Sequence, residues 1–298
     1  MEDIVKGIGN VDFELTYLCN LECLHCYNPS RERVNELETE KVKSITKEVR
    51  EVGFKEIHYN GGEPLIRKDI YEILEFAGKT GLETLLETNA TLLTDPGRLK
   101  AIPGLKIRAS IDGSKRAHNE IRRSKNGLDV YSRALQNLRK AKEVGLPVQL
   151  TCSVNGINYK EIYGMVEEIS EYGLENVRLR LSMPTGFATR NWRSLALSMD
   201  CVEELERQVE SIKHHFPHID FKDSTLIRGI PKFEPRFFID PRGLVKPYPF
   251  IEYFAGDLRE DSVEDVLGRI PSFNLPKEDE KTMVDYLSSL GMINGGQR

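Results

Sequence analysis

Six short β-rich runs, separated by amphipathic stretches of helical period, constrain this chain more than any other feature of its sequence. They are VDFELTYL from Val11, EIHYN from Glu56, ETLLETN from Glu83, KIRASID from Lys106, VQLTCSVN from Val148 and NVRLRLSM from Asn176. Between them lie ELETEKVKSITKEVREVG, KDIYEILEFAGKTG, VYSRALQNLRKAKEVG and YKEIYGMVEEISEYG, several closed by the glycine that ends a helix. Strand, helix, strand, helix implies parallel β/α units, because parallel neighbours need a crossover long enough to hold a helix.

The runs carry a second signal. A parallel sheet covered on both faces reads as continuous apolar sequence, yet here every second residue is polar. Period two groups Asp12, Glu14 and Thr16; Glu56, His58 and Asn60; Glu87 and Asn89. Further on it groups Arg108, Ser110 and Asp112; Gln149, Thr151, Ser153 and Asn155; and Arg178, Arg180 and Ser182. Helices must cover the apolar face, so the polar face turns inward, into a curved sheet around a wet lumen. The fold class expected is α/β, a partial (β/α)6 TIM-like barrel that six units leave open. A further helix, VEELERQVESIKHHF, follows from Val202, and RFFIDPRGLVKPY then reads as a hairpin turning at Pro241, Arg242 and Gly243. The expected organisation is a barrel over residues 1–195, a linking helix over 196–217 and a small α+β cap over 218–298.

A chain of 298 residues can bury a large core without staples. Its net charge of -5 argues against a nucleic-acid or anionic-membrane surface, and nowhere do about 18 apolar residues run together. The amino terminus, MEDIVKGIGNVDFEL, has no cationic leader, so a cytoplasmic location is expected. Three of the five cysteines fall within CNLECLHC, at Cys19, Cys23 and Cys26. They are too close for a disulfide framework, which favours a metal in a reducing compartment. Cys152 and Cys201 stand alone and read as small buried apolar residues. The trio lies just past the first strand, on the carboxyl-terminal rim where barrel proteins gather ligand loops. Three thiolates on one loop grip one face of a metal centre and leave a position open. Structural zinc would need a fourth protein ligand, and His25 adjoins Cys26 too closely to share an ion with it easily; a 4Fe-4S cluster would keep one iron free.

C-x3-C-x2-C after a first strand resembles the signature of the radical S-adenosylmethionine (radical SAM) superfamily. NGGEP, with Gly61, Gly62, Glu63 and Pro64, is similar to that family's GGEP turn. ETNATLL is similar to its TNGTLL, with Ala90 in the usual glycine place. SIDGS followed by AHNEIRR resembles the SIDGP…HdxxR pattern of the branch that holds anaerobic sulfatase-maturing and peptide cross-linking enzymes. The likeness spans residues 11 to about 185 in the family's order. It implies one 4Fe-4S cluster on Cys19, Cys23 and Cys26, whose electron cleaves S-adenosylmethionine to a 5'-deoxyadenosyl radical that takes hydrogen from a polar substrate, in peptide or protein maturation. It also implies a cofactor site in which Glu63 and its turn meet the methionyl amino group. Ser110 and Arg122 meet the ribose or carboxylate, His25 lies against the adenine, Ser182 joins the adenine pocket, and Asn89 and Asp112 complete the set. The implied partners are a peptide or a small polar or anionic substrate, and an electron donor such as ferredoxin or flavodoxin. Other readings are an enzyme of cofactor or small-molecule biosynthesis, a non-catalytic cluster- and cofactor-binding sensor, and a zinc-binding structural domain.

FIDPRGLVKPYPFIEYFAGDLREDSVEDVL resembles the opening of the SPASM or twitch extension found in that branch, where a cysteine normally follows the proline; here Tyr248 stands there. EKTMVDYLSSLGMINGGQR is similar to a cysteine-rich ending, with Asn294 and Gln297 in the cysteine places. No cysteine follows Cys201, so the cap is expected to lack an auxiliary cluster. That favours redox-neutral hydrogen abstraction, or an oxidation whose electron returns to the single cluster. Inside the lumen, Arg108, Arg178 and Arg180 suit a carboxylate or phosphate, and Glu14, Glu56, His58 and Glu87 suit proton transfer; the same residues could equally pair among themselves.

Overall fold

The computed structural model describes residues 2–223, 236–247 and 254–270. Its strands are β1 (Val11–Glu14), β2 (Leu21–Cys23), β3 (Glu56–Asn60), β4 (Glu83–Thr88), β5 (Leu105–Ser110), β6 (Arg122–Ser124), β7 (Val148–Val154), β8 (Asn176–Leu181), β9 (Asp220–Asp223), β10 (Phe237–Ile239), β11 (Leu244–Lys246) and β12 (Gly256–Asp257). Ten of these form one sheet in the order β12-β11-β10-β1-β3-β4-β5-β7-β8-β9, and β2 pairs with β6 alone. From β10 to β9 every neighbour is parallel, which places the carboxyl ends of all these strands on one rim. This is the expected α/β partial barrel, with each of the six β-rich runs supplying a strand.

Helices cover the apolar face, as the alternation requires. The helix Thr39–Glu51 buries Val42, Ile45, Thr46 and Val49, one stripe at helical spacing. Ile70–Thr80 does the same with Ile70, Ile73, Leu74 and Ala77, and Val130–Glu143 with Ala134, Leu138 and Ala141. Beneath them the sheet contributes Phe13, Ile57, Tyr59, Leu86, Ile107, Leu150 and Leu179, all at most 1 % exposed. Each large apolar side chain buried in this way contributes about 1.5–3 kcal/mol.

The sheet runs straight through the boundary expected at residue 218. β9 adds a parallel strand beyond β8, and β10 lies parallel to β1 with Val11 opposite Phe237. Phe237 packs on Phe54 with ring centroids 6.1 Å apart, and the Val263 N–H donates to Glu48 Oε2 at 3.0 Å. The described part of the carboxyl-terminal segment thus shares the barrel's core. The hairpin read from RFFIDPRGLVKPY is present as β10 and β11, with Asp240 Oδ1 taking the Arg242 and Leu244 N–H groups at 2.8 and 3.1 Å. Tyr248, Asn294 and Gln297 lie outside the described residues.

Candidate active site

The thiol loop leaves β1 and is fastened at several points. β2 runs antiparallel to β6 with Cys23 opposite Arg122, and the Leu24 N–H donates to Ile121 O at 2.8 Å. Arg31 donates to Cys23 O at 2.8 Å, Asn191 to Leu24 O at 3.0 Å and the Ala188 N–H to Cys26 O at 3.0 Å. A Cβ on Gly186 would stand 2.2 Å from Tyr27 O, so the chain entering the helix Ala188–Leu195 can lie on this loop only as glycine.

The three thiols are free, Cys23 buried and Cys19 and Cys26 partly so. Burial pushes Cys19 up to about 11 and Cys23 up to about 12, and raises Cys26 as well. Without a cation these groups keep their protons at neutral pH; binding a metal displaces them. Donors already aim at two of the sulfurs: Asn89 Nδ2 lies 4.0 Å from Cys19 Sγ, and Arg122 Nη1 lies 4.0 Å from Cys23 Sγ. Among the described residues, no three His, Cys, Asp or Glu side chains gather closely enough to hold a single metal ion.

The glycine-rich turn after β3 is zipped onto the strand that feeds the thiol loop. The Gly62 N–H donates to Thr16 O at 2.6 Å and the Glu63 N–H to Leu18 O at 2.8 Å. A Cβ would fall 2.4 Å from Thr16 O at Gly61 and 2.1 Å from Leu18 O at Gly62. The close approach these glycines permit is therefore to the protein's own main chain. Glu63, fully buried, caps the short 3-10 helix Pro64–Ile66 through Leu65 N at 3.1 Å and accepts from Thr88 Oγ1 and Asn89 N, both at 2.7 Å. Burial raises its pKa against those three donors.

Asn89 and its neighbours form a small network under Cys19. Asn89 donates to Asn20 Oδ1 at 2.9 Å, Asn20 donates to Thr91 Oγ1 at 2.8 Å, and Thr91 closes the ring on Asn89 Oδ1 at 2.6 Å. Between them Ala90 takes a left-handed backbone, φ 60, the one such non-glycine among the described residues.

Asp112, after β5, is the hub of the opposite side. Fully buried, it accepts from His25 Nε2 and Arg122 Nε, both at 2.6 Å, and from Ser153 N at 2.8 Å. Burial works against its charge, but the Arg122 guanidinium and the hydrogen bond from His25 outweigh burial and hold Asp112 far below the usual carboxylate range. Its own N–H donates to His118 Nδ1 at 3.0 Å; burial pushes His118 down to about 3, so this imidazole is neutral with its proton on Nε2. Asp112 thus ties His25 of the thiol loop to Arg122 after β5. Ser110 stands partly exposed at the end of β5, and Ser182 follows β8 with Asn155 Nδ2 at 3.5 Å from its hydroxyl. The expected residues therefore meet at one rim. Sequence reasoning missed Asn20, Thr91, Arg31 and His118. Asn20, Arg31 and Thr91 lie in loops, which carry no periodicity to mark them, and His118 lies on the short helix Lys115–Ile121 within the AHNEIRR stretch.

Below the rim the polar faces of the strands fill the lumen. His58 is clasped by Asp12 (3.1 Å) and Glu56 (2.9 Å), which outweigh burial and raise its pKa. Glu87 pairs with Arg108 at 2.7 Å. Glu14, 2 % exposed, accepts from Tyr27 Oη at 2.9 Å, and burial pushes it up to about 8.

A sequence profile of the Radical SAM superfamily matches residues 13–182, the span that runs from β1 past β8 and takes in the thiols, Glu63, Asn89, Asp112, Arg122 and Ser182. This chain belongs to the radical SAM superfamily. It is 32 % identical over 180 residues to the AdoMet-dependent heme synthase of Methanosarcina barkeri, covering 59 % of this chain and 51 % of that one. The chain thus spans about half the length of that relative. With a probable GTP 3',8-cyclase of Saccharolobus solfataricus it shares 29 % identity over 285 residues, 88 % of this chain and 87 % of the other. In fold it is similar to SuiB of Streptococcus suis, in a crystal structure bound to the precursor peptide SuiA, with a TM-score of 0.74 at 15 % identity over 89 % of this chain and 67 % of that one.

The radical SAM superfamily uses a 4Fe-4S cluster and S-adenosylmethionine as cofactors. The residues fit them. Three free thiols on one loop provide a cluster's anchoring face, and the Asn89 amide and Arg122 guanidinium are the donors that anionic sulfurs accept.

Proposed function

We propose that this chain carries one 4Fe-4S cluster on Cys19, Cys23 and Cys26 and takes hydrogen from a polar substrate held in the barrel lumen. The observation that carries this reading is the convergence, on one rim, of the thiol loop, the glycine turn after β3, Asn89 after β4, the Asp112–Arg122–His25 triad after β5 and Ser182 after β8. When bound, the reduced cluster supplies the electron that splits S-adenosylmethionine to a 5'-deoxyadenosyl radical. Glu63 uses three of its carboxylate's four or so acceptor sites to fix the turn, leaving capacity for the cofactor's ammonium. Arg122, fixed by Asp112, is shaped for a carboxylate. His25 and Ser182 would border the adenine, and Ser110 would meet the ribose or carboxylate. Tyr27 and the largely protonated Glu14 offer a proton at the lumen's upper edge.

The carboxyl-terminal sequence supports a single cluster, because no cysteine follows Cys201. It is read as a SPASM- or twitch-like extension stripped of its metal ligands. A small polar substrate is favoured by the near full-length match to the probable GTP 3',8-cyclase and by the charged lumen. Peptide maturation is the second reading, supported by the SIDGS and HNEIRR motifs. The electron would come from a small redox protein such as ferredoxin or flavodoxin.

Anaerobic reconstitution tests the reading. About four irons per chain and release of 5'-deoxyadenosine on adding dithionite and S-adenosylmethionine are expected. Cys23→Ala abolishes both the brown colour and the cleavage. About eight irons per chain, or zinc alone, would overturn it.

A further inference from the structure

The lumen holds more positive charge than its own carboxylates answer. Arg108 gives one Nη to Glu87 at 2.7 Å and the other to Gln149 at 3.3 Å, while its Nε is buried with no acceptor. Arg180 reaches the same Glu87 at only 3.9 Å. Arg178, between them in the lumen, makes no ion pair among the described residues. The neighbouring carboxylates are otherwise engaged. Asp12 is held by His58 at 3.1 Å and faces Arg236 at 3.8 Å, and Glu14 is occupied by Tyr27. Three guanidinium groups therefore gather around Glu87, and the buried one, Arg108, keeps an Nε with no acceptor, which is costly away from water. Burial, and then the like charges of Arg180 and Arg108, push Arg178 down to about 10, which is the mark of crowded cations. In a chain of net charge -5, three arginines gathered around one carboxylate in the lumen make a local positive centre suited to an anion.

We propose that Arg108, Arg178 and Arg180 form an anion-anchoring subsite below the cofactor rim, which takes a phosphate or carboxylate group of the substrate. This rests on the reading that the substrate occupies the lumen. Arg180 and Arg178 precede Ser182 by two and four residues on β8, roughly 7 and 13 Å down the strand. The substrate accordingly enters with its anionic end down and presents the carbon that loses hydrogen toward the rim. The planar guanidinium fork suits either anion, and Glu87 fixes the fork of Arg108 before the ligand arrives.

Calorimetric titration of the full-length, cluster-loaded protein with inorganic pyrophosphate, and separately with succinate, tests the subsite and distinguishes the two anion sources. One of the probes is expected to bind, with affinity falling on the order of tenfold in Arg178→Gln, recovering in Arg178→Lys, and unchanged in Arg98→Gln on the outer surface. Should Arg178→Gln misfold, Arg180→Gln, whose side chain is 40 % exposed, carries the same expectation. Absence of binding by either probe at millimolar concentration, or equal affinity in wild type and the glutamine variants, overturns the subsite. Cofactor cleavage by the same wild-type sample separates the two claims. Cleavage without arginine-dependent binding overturns the subsite alone, whereas arginine-dependent binding without cleavage supports the subsite and overturns the enzyme.

Discussion

Asp112 at the rim and Glu14 in the lumen are both carboxylates almost wholly removed from water, and they end in opposite states. Asp112 meets a guanidinium, an imidazole and a main-chain N–H, and its charge is locked in. Glu14 meets one phenol and is pushed up to about 8, so it holds its proton at neutral pH. At the rim the protein has answered its own charges and left a rigid frame, whereas in the lumen it has left protons and guanidinium groups unspent. A preorganised frame suits a cofactor whose shape is constant, and an incomplete charge pattern suits a substrate that completes it.

Several substitutions break or sharpen that contrast. Asp112→Asn should have the largest effect on stability, about 3 kcal/mol in denaturant melts, because it strands the buried Arg122 charge. Gly62→Ala drives a methyl into Leu18 O and should cost about 1–3 kcal/mol while loosening the thiol loop, seen as weaker iron retention. The lumen side is tested by pH. Because folding raises Glu14 from 4.5 to about 8, the native state holds an extra proton in that window. Its contribution is complete below 4.5 and is lost by about 1.4 kcal/mol per unit as pH rises toward 8. Glu14→Gln should therefore flatten the fall in melting temperature between pH 4.5 and about 8. Asp112 has the reverse sign, since its depressed pKa gives stability above about pH 4 that is lost in acid. The smallest effect is expected for Ala90→Gly, which relieves a left-handed backbone costing about 1 kcal/mol and loses one buried methyl. Its melting temperature should stay close to wild type.

How much of this was legible in the sequence follows from which forces leave a local trace. Strand alternation and helical stripes mark which face is covered, so the six β/α units and the inward placing of Glu14, Glu87 and Arg108 could be read directly. Motif positions gave the rim residues Glu63, Asn89, Asp112 and Arg122. Long-range packing left no such trace. Nothing in GGEP says that its glycines face Thr16 and Leu18, and nothing in CNLECLHC says that Cys23 pairs with Arg122. The lumen arginines could be placed, but whether they were matched by carboxylates depended on side-chain reach across strands. β10, expected in a separate cap, lies instead beside β1.

That last pairing has a practical consequence. β1 carries the thiol loop, and its outer flank would present bare N–H and C=O groups if β10 were removed. A chain cut after residue 223 would keep every residue proposed to hold the cofactors yet expose a sticky sheet margin next to them, and self-association would then compete with cluster loading. β10 thus guards the flank of the strand that leads into the thiol loop.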